Sequence, residues 1–125
     1  MNGRLVIAGL FGAAGVILAA FGAHALPASM PERLRHAYET GADFHLLHAV
    51  LLAAVALAGE RPRLRLSFYL LLVGALVFSV SLYALALTGV TALGAITPIG
   101  GIITIVGWLA LVWAGAKTGS PKASR

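Results

Sequence analysis

The chain has 125 residues, 60% of them hydrophobic and only 10% charged, with a mean hydropathy of +0.96, which excludes a water-soluble core of ordinary composition. Its net charge of +5 and isoelectric point near 10.5 come from nine Lys and Arg spread over loops and ends. They form no basic stripe of the kind that follows a nucleic-acid backbone, so nucleic acid is excluded as a partner. The absence of cysteine excludes disulfides, thiolate metal sites and thiol nucleophiles.

What remains is four apolar stretches, each close to the roughly 20 residues that cross ~30 Å of hydrocarbon at ~1.5 Å per residue. The predicted fold is an all-α transmembrane four-helix bundle, with a single integral-membrane domain over 1–125 and a short interfacial helix between helices one and two. The first span runs from about 5 to 26 and stops at Pro27. Arg4, the apolar run and Ala23-His24-Ala25 resemble a signal peptide with its small-residue cleavage site, but the run is longer than an ordinary signal h-region, so a retained span is expected. Ala8, Gly12, Gly15, Ala19 and Gly22 recur at spacings of four and three and form one small-residue stripe, the kind of face that lets helices approach closely in lipid.

Ser29 with Glu32 three positions on fits a capping box, and Pro31 is tolerated in a first helical turn. Glu32/His36 and Arg35/Glu39 sit four apart, where helical side chains meet. Together they predict the interfacial helix over 31–40, leading into a second span over about 41–58 that ends at the Gly59-Glu60-Arg61-Pro62 turn. The third span covers about 66–88 and the fourth about 93–116. The fourth starts either at Pro98 with Thr97 as its N-cap, or near Ala92 with a kink at Pro98 and Gly100-Gly101. Gly100, Thr104, Gly107 and Ala114 trace a looser small-residue stripe along it. Residues 117–125 are expected to be a basic, disordered cytoplasmic tail.

Counting Lys and Arg by side gives seven (Arg4, Arg61, Arg63, Arg65, Lys117, Lys122, Arg125) against two (Arg33, Arg35). The positive-inside rule then places both termini in the cytoplasm. In that topology His24, Asp43, His45, His48, Ser81, Tyr83 and Thr97 all fall in the outer half, and the inner half is almost purely apolar. Three readings compete for this cluster. His45 and His48 are neighbours on one helix face and, with His24 and Asp43, offer imidazole and carboxylate ligands to a divalent metal. A proton or ion path would need polar groups across the full thickness, which the inner half does not supply. Interhelical hydrogen bonding that orients the helices needs nothing more than what is present.

Catalysis finds no support: there is no activated serine motif, no cysteine and no phosphate-binding loop beside a lysine. Asp43 and His48 lie about 140° apart round a helix and form no same-face pair.

Phe21-Gly22-Ala23-His24-Ala25-Leu26, Thr40-Gly41 with Phe44 and His48-Ala49, Ser79-Val80-Ser81-Leu82-Tyr83, and Thr97-Pro98-Ile99-Gly100-Gly101 with Gly107-Trp108 together resemble the small YgdD-type bacterial inner-membrane family of uncharacterised function. The resemblance covers nearly the whole chain and implies a four-helix membrane protein with no established activity. It implies His24 and His48 as the motif histidines, with none required at position 45, which weakens a three-histidine metal site. The functional expectation is a non-enzymatic structural or accessory component without a cofactor. Its partners would be membrane lipids and a second copy or another membrane protein, met through the small-residue stripes. The alternative is a small transporter or an ion- or metal-binding module using His24, Asp43, His48 and Tyr83.

Overall fold

Asn2 caps the first helix, α1 (Gly3–His24): its side-chain oxygen accepts from the Leu5 amide at 3.1 Å, and its amide nitrogen donates to the Ala56 carbonyl at 3.1 Å. One side chain thus closes a helix end and ties it to the end of α2 (Glu32–Leu57). The turn after α2 is pinned from the same side, because Arg4 donates to the Gly59 carbonyl at 2.7 Å and pairs with Glu60 at 3.1 Å. Helix α3 (Pro62–Thr88) begins on proline, where a missing N–H costs nothing, and ends on Gly89, whose φ of +71° is the left-handed closure that glycine adopts without strain. A 3₁₀ turn over Thr91–Ala95 leads into α4 (Thr97–Ala116). The computed structural model describes residues 1–117, so the expected tail beyond Lys117 lies outside the described residues.

All four long helices are long and apolar enough to cross a membrane. The separate interfacial helix expected over 31–40 does not form as its own element. Those residues are the first turns of α2, whose 26 residues extend about 39 Å and therefore outreach a ~30 Å hydrocarbon layer at one end. The expected capping box is also replaced. Pro31 is the N-cap, in an extended conformation with no side-chain cap, while Ser29 lies in the turn that Met30 N–H closes on the Pro27 carbonyl at 3.0 Å. Arg35 donates to that same Pro27 carbonyl at 2.7 Å instead of pairing with Glu39. Among the described residues Arg4–Glu60 is the only ion pair. At the fourth helix Thr97 is not the N-cap; that position falls to Ile96, because the Thr97 hydroxyl is drawn across to Ser81 on α3 at 2.6 Å.

The helices pack in chain order, α1 on α2, α2 on α3 and α3 on α4, with no comparable α1–α4 seam among the described residues. The outer two are flanks: 22% of the most apolar stretch of α1, and of the segment that runs from Thr91 through α4, is buried, against 44% in α2 and in α3. At the basic end an apolar core joins Ala8 and Phe11 to Leu52 and Val55, Phe68 and Leu71, and Ala114. Toward the opposite end a smaller cluster forms around Tyr38, Ala42, Tyr83 and Ala86.

Both small-residue stripes turn inward. On α1, an added Cβ at Gly12 would meet Ala49, at Gly15 would meet Leu46 and His45, and at Gly22 would meet the Tyr38 ring, while Ala8 is 2% exposed and Ala19 packs on the Tyr38 cluster. Leu10 and Ile17, each 68% exposed, face away, whereas Leu18 is partly buried against Tyr38. On α4, Gly100, Thr104 and Gly107 sit against the α3 backbone so closely that a Cβ at Gly74 would lie 2.6 Å from the Thr104 nitrogen. Only small residues allow such a crossing.

Candidate functional site

The buried polar residues meet where α2 passes between α1 and α3. Tyr38 donates to the Leu18 carbonyl at 2.6 Å, and one heptad on, His45 Nε2 reaches the Phe11 carbonyl at 2.8 Å. Both acceptors lie four residues before a glycine, Gly22 and Gly15, whose missing side chains leave the carbonyl open; a Cβ at Gly15 would stand 3.1 Å from the His45 ring. Two donors seven apart on α2 therefore meet two open carbonyls seven apart on α1.

His45 continues the chain of bonds into α3. A carbonyl only accepts, so the Phe11 contact places the proton on Nε2 and leaves Nδ1 as an acceptor for the Tyr83 hydroxyl at 3.0 Å. His48 is set the other way. Its Nδ1 donates to the Phe44 carbonyl at 2.9 Å, so Nε2 accepts the Trp108 indole N–H at 3.3 Å, linking α2 to α4. Each imidazole is thus neutral with its one donor and one acceptor both used. Aromatic faces close over them: Phe11 at 4.1 Å from the His45 ring, and Phe44 at 4.1 Å from His48 and 3.9 Å from Phe78.

Hydroxyls fasten the remaining seams. Ser79 donates to the Gly41 carbonyl and Ser67 to the Gly107 carbonyl, each at 2.9 Å. Ser81 donates to Phe78 at 2.8 Å and so accepts from Thr97. Among the described residues, Arg4 Nη1 is the only buried side-chain nitrogen or oxygen left without a partner.

The residues expected to form one cluster are therefore divided. His48, Ser81 and Tyr83 are buried and Thr97 is half-buried, but His24 and Asp43 are exposed. Along the α1–α2 seam Gly12 lies level with Ala49, so His24 stands about 12 residues, or ~18 Å, from the level of His48. Asp43 lines a crevice of 150 Å³ with Glu39, Tyr38 and Gly22. No three His, Asp or Glu side chains converge as metal ligands among the described residues. The hinge of the network is His45, outside the expected His24, Asp43, His48 cluster, and Tyr38 and Ser67 join it without any motif that marks them, whereas Trp108 enters from the Gly107-Trp108 motif. For Tyr38 and His45 the available signal is the matched seven-residue spacing of Tyr38/His45 and Gly15/Gly22.

Residues 18–101 match the family model described as "Protein of unknown function (DUF423)". The UPF0382 membrane protein YwdK of Bacillus subtilis is 36% identical over 104 residues, 80% of this chain and 85% of the relative. A UPF0382 membrane protein of Haemophilus influenzae is 36% identical over 121 residues, 95% and 98% of the two chains. The UPF0382 inner membrane protein YgdD of Escherichia coli is 35% identical over 116 residues, 90% and 87%. No solved structure shows a significant match.

Proposed function

The chain belongs to the DUF423 family of membrane proteins, and from that membership we propose that it is a non-enzymatic structural or accessory component of the bacterial inner membrane. The observation that carries this reading is the closure of its polar interior. Histidine, tyrosine and serine donors inside the helices are spent on carbonyls and side chains of the same chain, most of them across a helix seam, so among the described residues the bundle interior keeps no convergent set of free groups to hold a substrate or ion.

The small-residue stripes are engaged within the chain, so contacts with lipid, a second copy or another membrane protein fall to other faces. These are Val6, Leu10 and Ile17 on α1, and Ile102, Ile105, Leu109 and Val112 on α4. Both termini are assigned to the cytoplasm on the seven-to-two split of Lys and Arg.

Proteoliposomes loaded with a pH-sensitive dye test the reading against the transporter alternative. Proton and alkali-cation leak should equal that of protein-free vesicles. A protein-dependent flux removed by Tyr83→Phe or His48→Ala would establish a transport path instead.

A further inference from the structure

The first turn of α3 with its N-cap Arg61, and the end of α4, form a crevice of 340 Å³ lined by Arg61, Pro62, Arg63, Ala114 and Lys117. We propose that this crevice binds the phosphate of an anionic glycerophospholipid headgroup. Its three cations face no carboxylate among the lining residues, and Glu60, the nearest in sequence, is held by Arg4 on the α1 side of the turn. Among the described residues no hydrogen bond or ion pair engages the side chains of Arg61, Arg63 or Lys117.

Arg63 is nevertheless placed. Its guanidinium carbon lies 4.1 Å from the centre of the Trp113 ring, a cation–π contact that fixes the group while its in-plane N–H donors stay available to a phosphate's oxygens. The surroundings favour a lipid over a free anion. The crevice sits at the ends of two apolar helices, and Leu66, Leu109, Val112 and Trp113 present exposed apolar surface on the adjoining turns, where acyl chains would lie beneath a headgroup. A tryptophan at a span's end belongs to the same boundary layer.

The test uses the full chain in detergent micelles, with native mass spectrometry reading adducts of phosphatidylglycerol, phosphatidylcholine of the same acyl chains, and inorganic phosphate. Phosphatidylglycerol should bind in preference to phosphatidylcholine, and excess inorganic phosphate should not displace it. Arg61→Gln, which removes no side-chain hydrogen bond or ion pair among the described residues, should weaken phosphatidylglycerol about fivefold, and Arg61→Gln with Arg63→Gln about 25-fold, as expected for one charge each at a membrane surface. Arg33→Gln, at the other end, should leave it unchanged.

Equal binding of the two lipids, or equal weakening by Arg33→Gln, overturns the site. Displacement by inorganic phosphate at matched concentration overturns the lipid assignment in favour of a free-anion site. Should the double variant misfold, by its circular-dichroism melt, the Arg61→Gln result alone decides.

Discussion

His45 bridges three helices with one ring, because it accepts from Tyr83 on α3 while donating to a carbonyl on α1. Removing it strips a donor from α1 and leaves the Tyr83 hydroxyl buried without an acceptor, so His45→Ala should cost about 1–3 kcal/mol in SDS titration of mixed micelles. Tyr83→Phe should cost about 1 kcal/mol by the same measure. Because both lose one shared bond, the double variant should cost less than the sum. Additivity within about 0.5 kcal/mol would show that the bond contributes nothing. This residue was hard to weigh from sequence. A histidine near a span's start looks alike whether it faces a carbonyl or lipid, and only the seven-residue match with Gly15 and Gly22 distinguishes His45 from His24.

At the scale of elements, the tightest seam is α3 against α4, where Gly74, Gly100 and Gly107 bring backbones into contact. A methyl group at Gly100 would lie 2.9 Å from the Gly74 carbonyl oxygen, and neither backbone can retreat without separating the helices. Gly74→Ala and Gly100→Ala should each lower stability by about 1–3 kcal/mol. Gly9→Ala meets nothing within 4 Å and should be neutral or raise stability by up to ~1 kcal/mol, through helix propensity alone. Thermal melts in detergent check the series; equal effects at Gly9 and Gly100 would sink the close-crossing account. The stripes were legible because periodicity alone carries them. Gly74 was harder to see, since it is the lone glycine of α3 and its seven-residue neighbours on that face are the serines Ser67 and Ser81. The polar start of α2 was misdivided for a related reason: composition changes where a helix leaves the hydrocarbon, even when the backbone does not.

For the whole molecule, hydropathy was enough to place four spans, because the cost of unpaired backbone in lipid forces each apolar run into a helix. How the runs pair was not written in hydropathy, and the open row with α1 and α4 as flanks follows from which faces carry small residues and donors. Orientation across the membrane rests on the basic residues. In this cysteine-free chain, Ser29→Cys should label from outside intact cells and Ala58→Cys only after permeabilisation, and the reverse pattern would invert the topology. The interior closes on itself through two neutral histidines of opposite tautomer. The direct measurement is ¹⁵N NMR of the ring nitrogens near neutral pH, with His45 and His48 assigned by single substitutions among the four histidines. His45 should be protonated at Nε2 alone and His48 at Nδ1 alone, both unmoved by added Zn²⁺. A shared tautomer, a doubly protonated ring, or signals that shift as the metal is added would contradict this closure.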